Sequence, residues 1–282
     1  MSSLNLTTSP LEFRSRWVLV TGASSGLGLH ISRQLAHRHK ANLVLVARRE
    51  AKLRELQNEL ENEAGVEVAT VTADLSRIED VDRVFEEATR GRDLYAAVLN
   101  AGVTHFGRHD ELTWEGFQQM LATNVQGVVR MSMHLAPYLE RQKQGGGMLL
   151  VSSMAGLVPV AYQSAYSGTK AFLLNYGSGL HHELRDRNVS VTLFAPGGIQ
   201  TEMTAGEKFG PLRAFLMPVE ACATAAIDAF RHRAYLEMPG ITNRLGYAVT
   251  RMLPQRFVTG RVAATYRSAL NRVAKAASGT GR

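Results

Sequence analysis

Tyr166-Ser-Gly-Thr-Lys170 sets a phenol and an ammonium four residues apart. On a helix the two share one face. A cation beside a phenol favours phenolate and draws its pKa from about 10 toward neutrality. A tyrosine so tuned gives a proton to a carbonyl oxygen or takes one from an alcohol. An ordinary amphipathic surface helix can carry the same pair, so its company decides. Ser152-Ser153 closes an apolar run, with Ser153 thirteen residues before Tyr166. A hydroxyl at the carboxyl end of a strand lies on the ligand side of a parallel sheet. Asn124 falls inside a long helical pattern. An amide is locally unfavourable there, and a helix kink or a held water would explain it.

A second group of residues suits a nucleotide. Thr21-Gly22-Ala23-Ser24-Ser25-Gly26-Leu27-Gly28 lies between a β-branched run and a helical pattern. Gly22 permits a tight turn. Gly26 and Gly28 let a ligand approach a helix N-terminus, whose N–H groups and dipole favour a pyrophosphate. Val46-Ala47-Arg48-Arg49 ends the next apolar run with no acid to bind a ribose 2′-hydroxyl. A guanidinium there binds a 2′-phosphate instead, so NADP(H) is expected over NAD(H). The alternative is that Arg48 and Arg49 merely open a solvated helix. Asp74-Leu75 suits an adenine amino group, and Asn100-Ala101-Gly102 lets backbone lie close to adenosine. Both also suit plain turns. Pro196-Gly197-Gly-Ile199-Gln-Thr201 follows a later apolar run and is placed to wrap a carboxamide.

These residues need elements to hold them. Apolar runs at 17–21, 42–47, 66–72, 95–100, 148–153, 189–195 and 235–238 read as strands. Helical patterns span about 26–38, 50–63, 77–90, 112–141, 162–187 and 218–232, with Gly65 and Gly91 as C-cap glycines. Alternating β and α predicts an α/β fold: a doubly wound, Rossmann-type parallel sheet of about seven strands, helices on both faces. A single domain over 1–238 is expected, then a basic helical extension over 239–282.

The 282 residues are 45% hydrophobic and 20% charged, which excludes a disordered or collagen-like chain. Cys222 is the only cysteine, so no internal disulfide forms and a reducing cytoplasm is the simplest home. The opening MSSLNLTTSP lacks the basic and apolar parts of a secretory signal. No run reaches the roughly 18 apolar residues of a membrane span. Net charge is +7, and the segment from Arg231 onward holds ten basic residues against Glu237 alone. That asymmetry suits a solvated basic face, a peripheral contact with anionic lipid, or an acidic partner. No motif for nucleic acid is present. The histidines form no metal set: His181 and His182 are adjacent, and His105 and His109 read as surface or pocket-wall residues.

In order and spacing, these motifs resemble the short-chain dehydrogenase/reductase family, in its shorter single-domain branch, over about 16–238. The resemblance implies that Tyr166 is the acid/base and that Ser153 holds the substrate oxygen. It implies that Lys170 binds the nicotinamide ribose and lowers the Tyr166 pKa, and that Asn124 holds a water joining Lys170 to solvent. Arg48 falls where the family's NADP preference is set. His39-Lys40 departs from the pattern, standing where many members have glycine. A homodimer or homotetramer built on the helices near 112–141 and 162–187 is implied.

The segment 201–217 is expected to be a substrate lid, with Met203, Phe209, Leu212, Phe215, Leu216 and Met217 as its apolar residues. Ala155, Leu157, Val158 and Tyr162 would face them. Ordinary packing explains the same residues equally well. The expected activity is NADP(H)-dependent hydride transfer between nicotinamide C4 and a hydrophobic ketone, aldehyde or secondary alcohol. The rival is a nucleotide-binding scaffold or redox sensor with incidental turnover, which has no need of Asn124, Ser153, Tyr166 and Lys170 together.

Overall fold

Every residue of Asn42–Ala47 and of Leu94–Leu99 is buried, as in strands covered on both faces. The computed structural model describes residues 9–206, 213 and 216–279. Among them, seven strands form one sheet: β1 (Trp17–Thr21), β2 (Asn42–Ala47), β3 (Val68–Thr72), β4 (Leu94–Leu99), β5 (Gly147–Val151), β6 (Ser190–Phe194) and β7 (Leu236–Glu237). The order is β3-β2-β1-β4-β5-β6-β7, with each neighbouring pair parallel. The direction of winding reverses between β1 and β4. Their carboxyl ends therefore open a crevice where a ligand can enter.

Helices α1 (Gly26–His39), α2 (Glu50–Ala64) and α8 (Val219–Arg231) cover one face. Helices α3 (Ile78–Thr89), α5 (Gly127–Gln142) and α7 (Ser164–Arg185) cover the other. Strand alternation divides β1 between them: Val18 and Val20 point to the first core, Leu19 to the second. On the second face Asp82 of α3 receives Arg130 of α5 at 2.7 and 2.9 Å. Those guanidinium bonds, joined by His134, hold the Asp82 carboxyl down at about 2.

The expected helix over 112–141 is divided. It runs as α4 (Trp114–Leu121), a π turn over Ala122–Gln126, then α5. Short α6 (Met154–Leu157) follows β5, and α9 (Ile241–Met252) and α10 (Gln255–Gly279) form the C-terminal helical extension. The third strand starts at Val68, later than expected, and β7 is only two residues long. Lys40 takes φ 52 and ψ 39 at the end of α1, the left-handed cap that glycine fills without strain. Its ammonium donates to the Ala64 carbonyl at 3.0 Å, tying the α1 end to the α2 end. Phe209, Leu212 and Phe215 of the expected lid, and Arg282 of the tail, lie outside the described residues. No helix among the described residues is long and apolar enough to cross a membrane.

Helix α7 lies unusually close to the sheet at Gly177, where an added Cβ would come 2.4 Å from Leu193 Cδ2 and 3.3 Å from Leu150 Cδ2. Gly177→Val is expected to overpack this contact and cost about 1–3 kcal/mol. A urea titration checks this, and an unchanged midpoint would contradict it.

Candidate active site

The crevice is built on Thr21, a buried hydroxyl at the end of β1. It donates to the Val98 carbonyl at 3.3 Å and accepts from the amides of Asn100 at 2.9 Å and Ala101 at 3.1 Å. The Asn100 side chain returns a bond to the Thr21 carbonyl at 3.0 Å. The loops after β1 and β4 are thereby locked together. Gly22 turns with φ +69. A Cβ at Gly28 would meet the Gly22 carbonyl at 2.3 Å and Asn100 Nδ2 at 2.6 Å. Gly28 is thus required by protein packing, and it sits behind the cavity wall rather than on it.

A cavity of about 1150 Å³ lies above this floor. Gly22, Ser24, Ser25, Gly26 and Leu27 line one end. Ser25 precedes α1 without a side-chain cap, so the first-turn amides are left for an anion. Arg48, Arg49, Asp74, Leu75, Asn100, Ala101 and Gly102 continue that wall. Arg48 is exposed. Arg49 is engaged: it donates to Ser24 Oγ and the Ser24 carbonyl at 3.2 Å each, and to Glu202 at 3.0 Å. It ties the glycine-rich turn to the start of the expected lid. Asp74 Oδ1 is taken by Ser76, through its amide at 3.1 Å and its hydroxyl at 2.8 Å. A dinucleotide fits this donor set: free helix amides, two guanidiniums and a close-packed glycine turn.

Tyr166 and Lys170 meet the other end on one face of α7, as their spacing predicts. Two pins hold that helix. The Ser152 hydroxyl donates to the Lys170 carbonyl at 2.8 Å, and α6 crosses so closely that a Cβ on Gly156 would lie 2.6 Å from the Lys170 carbonyl carbon. The neighbouring serine does something else. Ser153 caps α6, accepts from Ala155 N–H at 3.1 Å and donates to the Pro196 carbonyl at 3.4 Å, with its hydroxyl on the Tyr166 side of the cavity. Pro196, Gly197, Ile199 and Thr201 complete the wall beyond it.

The Lys170 side chain is buried and donates to the Val151 carbonyl at 3.0 Å. Nζ lies 5.8 Å from the Tyr166 ring centroid. Burial pulls this ammonium down to about 8. The phenol differs from the expectation of a lowered pKa. Burial pushes Tyr166 up, the Ser153 hydrogen bond opposes this, and nearby Tyr266 adds to the rise.

Asn124 stands at the break in its helix. Its amide is fully buried and satisfied by protein: Oδ1 accepts from Val103 N–H at 2.8 Å, and Nδ2 donates to the Val103 carbonyl at 2.9 Å and Thr169 Oγ1 at 3.0 Å. Asn124 joins the loop after β4 to α7, and the helix widens to a π turn around it. Gly102 lies between the two groups, where a Cβ would meet Asn124 Oδ1 and Lys170 Nζ at 3.3 Å each.

Of the expected substrate wall, Ala155, Val158, Met203 and Leu216 line the cavity, while Leu157, Tyr162 and Met217 do not. Tyr162 instead accepts from Arg267 of α10 at 3.1 Å. The extension completes the wall. Asn243, Tyr247 and Thr250 of α9, with Thr265 and Tyr266 of α10, close the cavity. In the sequence, the 4 and 3 spacing of 243, 247 and 250 puts these three on one face of α9. Tyr266 is fixed edge-on against Phe106, with ring centroids 5.5 Å apart.

Lys170 generates a prediction. Below pH 8 the folded and unfolded chains both hold its proton. Between about 8 and 10.5 the unfolded chain keeps the proton and the folded chain has lost it. Stability through this group therefore rises with pH across that window, by at most about 1.4 kcal/mol per unit. Urea midpoints of the wild-type chain should climb relative to those of Lys170→Met as pH increases. Parallel curves would contradict the burial of the charge.

The comparisons with known proteins agree with this geometry. The family model for short chain dehydrogenase matches residues 16–209. The very-long-chain 3-oxoacyl-CoA reductase of Neurospora crassa is 34% identical over 198 residues, 68% of this chain and 58% of that protein. The 17-beta-hydroxysteroid dehydrogenase type 3 of Mus musculus is 33% identical over 201 residues, 71% of this chain and 65% of that protein. The chain thus spans less than two thirds of the length of these curated relatives. Among solved structures, a short-chain dehydrogenase from Sphingobium yanoikuyae in complex with NADPH superposes with a TM-score of 0.73 at 28% identity, covering 84% of this chain and 94% of that one. The glycine-rich turn, the parallel sheet and the Ser153, Tyr166 and Lys170 group fall within that match, and the chain belongs to the short-chain dehydrogenase/reductase family.

Proposed function

We propose that the protein is an NADP(H)-dependent oxidoreductase acting on a hydrophobic ketone, aldehyde or secondary alcohol. One observation carries this: Ser153, Tyr166 and Lys170 stand together at one end of a cavity whose other end is an uncapped helix N-terminus. A bound nicotinamide supplies or accepts the hydride at C4. The protein's residues do the rest. Burial keeps the proton on Tyr166 Oη at neutral pH, which suits donation to a carbonyl oxygen. Ser153 Oγ holds the same oxygen. As the proton leaves, the Lys170 ammonium stabilises the phenolate, a charge it retains below about pH 8. Asn124 is a positioning residue that fixes the loop beside Lys170.

Arg48 and Arg49 support NADP(H). Arg48 offers an exposed guanidinium at the end of β2, where no acid takes the ribose 2′-hydroxyl, and Arg49 adds a second that Glu202 already engages. The Sphingobium yanoikuyae neighbour is in complex with NADPH. For the substrate, Ala155, Val158, Met203 and Leu216 form an apolar wall. Among the described lining residues the charged groups Arg48, Arg49, Asp74 and Glu202 belong to the glycine-rich end, and at the other end Lys170 is the charged one. An uncharged, bulky carbonyl or alcohol fits the remainder. The two relatives are named for 3-oxoacyl-CoA reduction and 17-beta-hydroxysteroid dehydrogenation. A homodimer or homotetramer through α5 and α7 accords with the exposed Met133 and Phe172 on those helices.

Tyr166→Phe is expected to lower kcat by about 10²–10⁴-fold while NADPH still binds. Near-wild-type turnover would remove the acid/base assignment. Arg48→Ala should weaken NADPH by about tenfold and leave NADH unchanged, read by fluorescence titration of both. Equal losses for the two cofactors would contradict the 2′-phosphate contact.

A further inference from the structure

Helix α9 is apolar on the wrong side for a helix packed on a core. Asn243, Gly246, Tyr247 and Thr250 face inward and line the cavity. Ile241, Leu245, Val249 and Met252 follow one another at spacings of 4, 4 and 3 and are 74%, 62%, 55% and 86% exposed. At 100° per residue they form one stripe opposite the cavity side. Leu253 and Phe257 extend it across the turn into α10, and both are exposed. Such a face, with no described residue packed over it, marks a contact surface.

Charge identifies what the surface meets. No Asp or Glu follows Glu237 in the sequence. Arg251, Arg256 and Arg261 are exposed beside the stripe. Arg244 is exposed too, and is held by Glu237 and the Met238 carbonyl. A second copy docked on this face would bring like charges together with no acid between them. An anionic bilayer complements both features, taking the apolar stripe into its interface and the guanidiniums among its head groups. The helix is about 18 Å long, so it lies in the interface and does not span.

We propose that the outer face of α9, continued by Leu253 and Phe257, docks the protein on an anionic phospholipid surface. Because the inner face of the same helix is a cavity wall, docking sets that wall against the bilayer. A hydrophobic carbonyl dissolved in lipid then has a short path to Tyr166. That consequence rests on the oxidoreductase function proposed above, whereas the docking does not.

The test reads docking alone. The full chain is floated with vesicles of phosphatidylcholine and of phosphatidylcholine containing phosphatidylglycerol. Two double variants are compared, Leu245→Ser with Met252→Ser and Arg251→Gln with Arg256→Gln. These side chains lie outside the cavity wall. Thermal melts and NADPH binding confirm that each variant is folded. The wild-type chain should bind the anionic vesicles, at least about tenfold more tightly than neutral ones. Each double variant should lose at least about tenfold. Absence of wild-type binding, or full binding by the Leu245/Met252 variant, would overturn the proposal. So would a wild-type dimer that this variant dissociates while vesicle binding is absent, which would assign the stripe to a second copy.

Discussion

A lysine side chain buried between a helix and a strand end governs the geometry of the whole site. Lys170 spends its carbonyl on Ser152 and part of its ammonium on Val151, both from the end of β5. Removing a charge from water is costly, which is why burial draws this ammonium down to about 8. The position persists because close packing surrounds it. Gly156 and Gly177 let α6 and the sheet approach α7, and Gly102 leaves room beside Nζ. Asn124 then ties α7, through Thr169, to the loop after β4. Tyr166 inherits its place from the same helix, one turn earlier. Displacing α7 would move Tyr166 and Lys170 together and reshape that end of the crevice.

Much of this was legible from residue types and spacing. The strand pattern fixed the sheet well because each run was apolar and short, and the 3.6-residue period placed Tyr166 and Lys170 on one face. Residue pattern alone does not separate Ser152 from Ser153, since adjacent residues point to opposite sides; the family resemblance chose Ser153, and the fold gives Ser152 to the Lys170 carbonyl. Asn124 announced itself as a misfit in a helix. Its partners, Val103 and Thr169, are 21 and 45 residues away, so local pattern could not supply them. Gly28 is also a packing requirement, because a residue its Cβ would strike, Asn100, comes from a distant loop. The direction of the Tyr166 shift depends on burial and on Tyr266, 100 residues later in the sequence, which i, i+4 reasoning leaves out.

The C-terminal extension shows how one helix can serve two environments. Its basic surplus was visible at once, but charge alone does not say which face is turned outward. The structure divides α9 into a polar cavity wall and an apolar exposed stripe. Arg267 of α10 also holds Tyr162, and Tyr266 packs on Phe106, so the extension is joined to the loops around the crevice. Cavity closure and the proposed surface contact therefore draw on the same two helices.

The central claim is that this crevice moves a hydride to a carbonyl carbon. The most direct measurement is label transfer. The purified chain is incubated with NADPH deuterated at C4 and a panel of bulky ketones and aldehydes, and the products are analysed by mass spectrometry. The account predicts an alcohol carrying one deuterium on the former carbonyl carbon, formed in proportion to the NADPH oxidised. NADPH bound in the crevice with no labelled alcohol from any member of the panel would contradict it.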